Sequence, residues 1–331
     1  MSVPFTIEEK GKGEPRFKLL ADAVEAAVAD GRLRKGHSLP SVTEVCMQLE
    51  VSRDTVFKAY SVLRDKGLVV SERGKGYYVA DHSVRVFIFL DTFKAYKEVL
   101  YGSLFRTMPS NVIADVNFHH YNPGLFRKLI DEAAGRYSKY IVMPFEHETV
   151  RKALRSLPPS KLLTIDWNLY TDESSNAVYQ DFGMSLERGL EQVRDRIVRY
   201  KEFHMLYPTF TYHPHESVEY FEKFCRERGI VHRVETDPEE LDVRAGVAYL
   251  SVSDRMMAKV LTQAKDRGLA LGKDVGLISY NETPFKQFID KGITVFSTNF
   301  EQMGRMAAQF VEQDAPLRLC VPSNIIVRKS L

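Results

Sequence analysis

From Val84 onward the chain alternates short β-rich runs with amphipathic helical stretches for about 240 residues, and few architectures tolerate that rhythm. The β-rich runs are 84–90, 112–118, 140–143, 162–166, 203–207, 247–250, 275–280 and 295–297. Helical stretches at about 95–107, 124–136, 147–156, 182–200, 215–228, 254–268 and 300–313 lie between them. Strands joined through helices predict parallel sheets with right-handed crossovers. So many strands exceed one comfortable open sheet, so the pattern predicts two α/β lobes with a cleft between them.

The first 83 residues read differently. Residues 1–15 are polar and Gly-rich and are expected to fray. Leu20, Ala23, Val24 and Ala27 mark one helical stripe, with Gly31 as its stop. Ser41, with Glu44 three residues on, opens a second helix as a capping box, and its inner face is Val42, Val45, Cys46 and Leu49. Ser52 caps a third helix with Val56, Ala59, Tyr60 and Leu63 inward, ended by Gly67. Runs at 68–71 and 76–80 then form a hairpin around Glu72–Gly76. Helix, helix, tight turn, helix and hairpin describe a winged helix-turn-helix over 16–80, followed by a linker at 81–83 and the two-lobed domain over 84–331.

Charge narrows the partners. Among 331 residues, 46 Lys and Arg stand against 44 Asp and Glu, a net charge of +2. A bulk polyanion binder would be more basic, so any nucleic-acid contact must come from a local cluster. Residues 51–80 supply one, with six basic and three acidic side chains. The third helix presents Arg53, Thr55, Phe57, Lys58 and Ser61 opposite its buried stripe. There Arg53 can reach guanine O6 and N7, while Thr55 meets a base edge or a phosphate. Arg73 and Lys75 sit at a Gly-lined wing tip that can approach the DNA backbone or minor groove. Each of these charges alone is equally well read as an ordinary solvated side chain.

Leu39-Pro-Ser41, Val51-Ser-Arg-Asp-Thr-Val56, Ala59-Tyr60, Leu63, Gly67-Leu68 and Gly74-Lys-Gly-Tyr-Tyr-Val79 together resemble the winged-helix domain of the GntR family of bacterial regulators. The resemblance covers about residues 16–80. It implies that Arg53 reads bases and that Gly74 lets the wing approach DNA. The expected DNA-contacting set is Ser41, Thr43, Ser52, Arg53, Thr55, Lys58, Arg73, Gly74 and Lys75. Many members carry an acidic–Arg pair where this chain has Val42-Thr43, so operator preference should differ.

Leu250-Ser-Val-Ser-Asp254, Asp274-Val-Gly-Leu-Ile278, Asn281, Ser297-Thr-Asn299 and Met303-Gly304 resemble the second lobe of LacI/GalR regulators and type I periplasmic sugar-binding proteins. Leu163-Thr-Ile-Asp-Trp167 and Val178-Tyr-Gln-Asp181 fit the first lobe and its crossover. A GntR head on a LacI-type sensor is the arrangement of the arabinose-repressor branch. That resemblance implies a sugar-responsive repressor, homodimeric on a palindromic double-stranded operator.

Ligands of open α/β sheets bind beyond the carboxyl ends of the strands. Those ends carry Asp91 and Lys94; His119 and Tyr121; Asp166 and Trp167; His215; Ser253 and Asp254; Asn281 and Glu282. The set mixes directed polar groups with an aromatic face, as a sugar needs. By positional match to the family, Asp166 and Asn281 accept sugar hydroxyls, and Trp167 can stack on the ring. Asp181 and Asp254 are equally readable as helix caps, Trp167 as core, and His119 with His120 as loop residues. No cluster of arginines lines the strand ends, which favours a neutral monosaccharide; Lys94 and the histidines leave a phosphosugar open.

Other chemistry finds little support. There is no G-x-x-x-x-G-K-[ST], H-E-x-x-H or G-x-S-x-G, so no enzyme is expected. Cys46, Cys225 and Cys320 are far apart, and His213-Pro-His215 lacks metal-ligand spacing, so neither cofactor nor metal is expected. Without an apolar leader or an 18-residue apolar run, the expected setting is the cytoplasm, with no membrane partner. A C-terminal domain that only dimerises, or that binds a non-sugar effector, is the alternative.

Overall fold

The computed structural model describes residues 3–6, 15–65, 68–72, 75–80, 84–109, 112–169, 175–313 and 315–331. They form two compact units, Met1–Ser83 and Val84–Leu331. Gly67, Arg73, Gly74 and the linker at 81–83 lie outside the described residues.

The first unit comprises α1 (Arg16–Ala29), α2 (Val42–Leu49), α3 (Arg53–Asp65), β1 (Val69–Glu72) and β2 (Gly76–Val79). Leu20, Val24 and Ala27 of α1 meet Val45 of α2 and Val56, Tyr60 and Leu63 of α3 in one buried cluster. The capping box is formed in both directions: Glu44 N donates to Ser41 Oγ (3.2 Å), and Ser41 N donates to Glu44 Oε2 (2.8 Å). Glu50, left-handed at φ +51°, turns the chain out of α2. Thr55 N then donates to Ser52 Oγ (3.1 Å), which fixes the start of α3. β1 and β2 pair antiparallel, with Val69 opposite Val79 and Glu72 opposite Gly76. The expected fraying of residues 1–15 is corrected at 3–6. Phe5 is a large apolar side chain that is 1% exposed in this core, and Val3 N donates to Gln48 Oε1 (2.6 Å).

The second unit runs β3 (Val84–Leu90), α4 (Ala95–Thr107), β4 (Val112–Phe118), α5 (Pro123–Ala133), β5 (Lys139–Val142), α6 (Glu148–Leu154), β6 (Leu162–Asp166), β7 (Ala177–Gln180), α7 (Met184–Gln192), α8 (Arg194–Ile197) and β8 (Glu202–Leu206). It continues with α9 (Glu216–Glu227), β9 (His232–Glu235), β10 (Val247–Ser251), α10 (Asp254–Asp266), β11 (Val275–Tyr280), β12 (Thr294–Thr298), α11 (Phe300–Glu312), β13 (Arg318–Val321) and β14 (Ser323–Ile326).

Two six-stranded sheets result, ordered β13-β7-β6-β5-β3-β4 and β14-β12-β11-β10-β8-β9. Every pairing in the first is parallel, whereas in the second β14 runs antiparallel to β12. Strands β5, β10 and β11 are buried at every residue, as a sheet covered by helices on both faces requires. The chain passes between lobes three times: after β7 into α7, after β12 into α11, and through Pro322 between β13 and β14. α11 therefore begins from the second sheet yet packs Met303 and Ala307 beside Leu100 and Leu104 of α4 in the first lobe's core.

Candidate functional site

In the first unit, the helix α3 places Arg53, Thr55 and Lys58 on the side away from Val56, Ala59, Tyr60 and Leu63. Arg53 is exposed, with no ion pair among the described residues. Lys58 is held by Asp54 one helical turn back (2.9 Å) and Lys75 by Glu72 (2.8 Å), both in water-exposed pairs that a phosphate can displace at little cost. Thr43 is exposed on α2. The hydroxyls of Ser41 and Ser52 are engaged in cap bonds, and Thr55 Oγ1 shares a 2.8 Å bond with Ser52 Oγ. Those hydroxyls position α2 and α3, and Arg53 remains the free donor at the helix start.

In the second unit, two adjoining hollows of about 430 and 720 Å³ open between the strand ends of the lobes. Trp167, Gln180, Phe182, Tyr212, His213 and Pro214 line both. The smaller one gathers Lys94, Tyr121, Asp166 and Trp167 from the first lobe and Ser253, Asp254 and Asn281 from the second. Asp166 and Asn281, left-handed at φ +72° and +63°, each stand just where a central strand hands over to a loop. Such backbone is uncommon away from glycine and clusters at ligand sites.

Asp166 is buried, and Gln180 Nε2 donates to its carboxylate. Burial pushes this carboxyl above its ordinary range, against the pull of Lys97 and the Gln180 hydrogen bond. Gln180 in turn accepts from Thr298 Oγ1 (2.7 Å), which also bonds Ser323 Oγ (2.6 Å). A polar chain thus runs from the cleft carboxylate to residues flanking all three interlobe crossings. His213 Nε2 bonds Ser217 Oγ (2.7 Å), and burial pushes its imidazole down to about 3, so it is neutral near pH 7. Trp167 packs on Phe182 with ring centroids 5.9 Å apart, bridging the cores of both lobes while facing both hollows. Across the cleft, Tyr121 and Tyr212 stack at 3.9 Å and 1°.

Among the described residues, four buried side-chain polar atoms lack a hydrogen-bond partner, and two of them, the Tyr280 hydroxyl and Asn281 Oδ1, belong to residues lining the smaller hollow. A buried polar group without a partner costs about 1–3 kcal/mol, so a native site keeps one only with a reason.

Four strand-end candidates do not reach the smaller hollow. Asp91 lies beneath it, 3% exposed, in an ion pair with the buried Lys97 and accepting from the Tyr121 hydroxyl and Thr92 N. Burial raises its carboxyl, but Lys97 and these donors outweigh that and hold it below the ordinary carboxylate range. His119 is fully buried between Met143 O (2.8 Å) and Tyr121 N (3.1 Å), its imidazole pushed down to about 4 by burial. Glu282 is committed to Arg328. His215 is exposed at the rim of the larger hollow, 3.6 Å from Glu219. Asp91, His119 and Glu282 thus serve the folding of their own loops, while His215 borders the larger hollow instead. The capping alternative holds for Asp181, which accepts from Gly183 N (2.9 Å) and Ser185 N (3.0 Å). It fails for Asp254, which is the first residue of α10 and pairs with buried Lys286 (2.8 Å).

Sequence reasoning missed Tyr96, Gln180, Phe210, Arg255 and Tyr280 as lining residues. Gln180 and Tyr280 end strands and were open to the same strand-end argument. Phe210 comes from an irregular loop that carries no such signal.

Comparison with known proteins bears on both units. Residues 18–79 match the family model of bacterial regulatory proteins, gntR family, and residues 198–331 match that of the periplasmic binding protein-like domain. The HTH-type transcriptional regulator YhcF of Bacillus subtilis is 32% identical over 89 residues, which are 27% of this chain and 72% of that protein. YydK of the same organism is 28% identical over 85 residues, 26% of this chain. The chain spans only 36% of YydK and 26% of the B. subtilis regulator KdgR. Among solved structures, the trehalose repressor of Escherichia coli superposes with a TM-score of 0.61 at 12% identity, covering 74% of this chain and all of that one. A LacI family regulator of Lactobacillus casei with bound glucose gives a TM-score of 0.60 at 10% identity over 75% of this chain and 100% of its own. The fold of residues beyond the head is thus that of LacI-family sensor domains, and by its winged helix the chain belongs to the gntR family of bacterial regulatory proteins.

Proposed function

We propose that this protein is a transcriptional repressor of sugar-utilisation genes, with the head-and-sensor arrangement of the arabinose-repressor branch. Its operator affinity is set by a small sugar held between the two lobes. The observation that carries this reading is the orphaned Asn281 Oδ1 at a cleft also lined by Asp166, Trp167 and Tyr280. A sugar supplies hydroxyl donors and acceptors to such groups and an apolar ring face to the indole. The glucose-bound regulator with the same fold supports the class of ligand.

The working form is a cytoplasmic homodimer on a palindromic operator with half-sites about one helical turn apart. Closure on the sugar shifts the dimer between head spacings that do and do not fit the operator. The ligand moves that equilibrium only through its different affinities for the two states.

Two substitutions separate the roles. Arg53→Ala should weaken operator binding by about 1–3 kcal/mol, the worth of one bidentate base contact, and leave sugar binding unchanged. Gel-shift titration checks the first half and calorimetry the second. Asp166→Ala should leave operator binding intact and abolish the sugar response. A normal response in that variant overturns the cleft assignment.

A further inference from the structure

The charge lining the cleft does not match a neutral sugar. Four charged side chains face the smaller hollow: Lys94, Asp166, Asp254 and Arg255. Asp254 is already neutralised by Lys286, whose buried ammonium lies 2.8 Å away and also donates to Asn281 O (2.6 Å) and Tyr280 O (3.1 Å). Asp166 shares its carboxylate with Gln180, and burial favours its protonated form. Asp91, the next acid behind the wall, is matched by Lys97.

The two cations remain. Neither Lys94 nor Arg255 makes an ion pair among the described residues. Arg255 rests its guanidinium over the Phe210 ring, 5.1 Å from the centroid, which aligns the side chain without neutralising it. Lys94 stands at the start of α4 in the first lobe and Arg255 in the first turn of α10 in the second. Burial lowers the Lys94 ammonium and the carboxylates of Asp91, Asp254 and Asp166 support it from a distance, but neither Lys94 nor Arg255 has a carboxylate in direct contact among the described residues. An anion between them meets a cation from each lobe, giving a ligand a larger grip on the closed state than on the open one. Asn281, whose buried Oδ1 has no hydrogen-bond partner among the described residues, lines the same hollow as a polar partner for a ligand.

We infer that the effector is an acidic sugar, a sugar carboxylate or sugar phosphate, whose anionic group bridges Lys94 and Arg255 while its hydroxyls engage Asn281, Tyr280 and Asp166. This rests on the sugar-sensing reading and takes the phosphosugar alternative over the neutral monosaccharide favoured by the sequence. Arg255 lies one residue inside a helix, and Lys94 needs no arginine beside it.

The test is a fluorescence and calorimetric titration of the full chain with matched sets of pentoses and hexoses. Each sugar is offered as the neutral form, the aldonate or uronate, and the phosphate. An acidic member should bind at least about tenfold more tightly than its neutral parent, with an affinity that falls as salt is raised. The carboxylate and phosphate arms identify which anion is read. Lys94→Met and Arg255→Gln should each erase most of that advantage, so that acidic and neutral members of a set bind alike, and leave the melting temperature unmoved, both side chains being exposed. A neutral parent that binds as tightly as its acids overturns the inference and leaves the sugar-sensing reading standing. Failure of every sugar, neutral and acidic, to saturate the protein overturns both.

Discussion

Lys97→Met should destabilise the second unit by about 3–5 kcal/mol at pH 7, the usual consequence of stranding one partner of a buried ion pair. Lys97 and Asp91 are 1% and 4% exposed at their side chains. Methionine fills the space of the lysine stem but cannot answer the carboxylate, which keeps only the Tyr121 hydroxyl and the Thr92 amide. Urea unfolding followed through Trp167, the chain's one tryptophan, reads the unit concerned. The pH dependence has a definite sign. In the native protein the Asp91 carboxyl sits below its ordinary value, so its contribution is complete above about pH 4 and is lost as pH falls through the folded value. In the variant, only those two donors oppose burial, the largest influence, so the carboxyl is raised and protonation relieves the penalty. The gap between the two proteins should narrow as pH drops from about 6 toward 4. A gap that stays constant over that range would mean the pair is not buried as described. The double substitution with Asp91→Leu should recover much of the loss, because an apolar pair replaces an ionic one at little net cost.

Gly304→Ala tests the crossing of α11 over α4. In an open helix this change stabilises by up to about 1 kcal/mol, since alanine is the better helix former. Here a Cβ would lie 2.5 Å from Leu100 O, 2.8 Å from Leu104 N and 2.9 Å from Ser103 Cβ. Two of those three atoms are backbone, and Ser103 Oγ ties the helices further by donating to Glu301 O (2.7 Å). The helices must move apart to admit the methyl group, so a net loss of about 1–3 kcal/mol is expected. A variant that is more stable than the parent would show the two helices to be separable at this point. Gly304→Leu should be worse than Gly304→Ala in the same assay.

Most of the architecture is legible in the residues alone because both large sheets are covered on each face. Stretches such as residues 86–90 and 275–278 are then continuously apolar, and most of the helices between them are two-sided. The strands that escape are β7, a four-residue run inside its sheet, and β9, β13 and β14, whose residues are mostly part-exposed at sheet edges and show no apolar run. Their place depends on long-range closure rather than on local pattern. The site divides in the same way. Asp166, Trp167 and Asn281 follow from the rule that strand ends carry ligands, and that rule also picks out Asp91, His119 and Glu282, which serve folding. Nothing local distinguishes the two groups, because Lys97 in Ala95–Thr107 reads as an ordinary surface lysine, the helix having no strongly marked apolar face. Only the packed lobe reveals that it is the counter-ion of Asp91.

The three passes between lobes have a consequence for how the protein is made. The strands β3 to β7 are synthesised first, but the sheet they form lacks its edge strand β13, and α4 lacks its cover α11, until residues 300–321 emerge. Ribosomes add about 5–20 residues per second, so roughly ten seconds separate Gln180 from Phe300 on the growing chain. During that interval Leu100 and Leu104 face water with no helix to lie against. The nascent first lobe is therefore a natural client for a chaperone that shields apolar surface, and a message truncated shortly before α11 leaves the cell with an aggregation-prone fragment rather than a usable half.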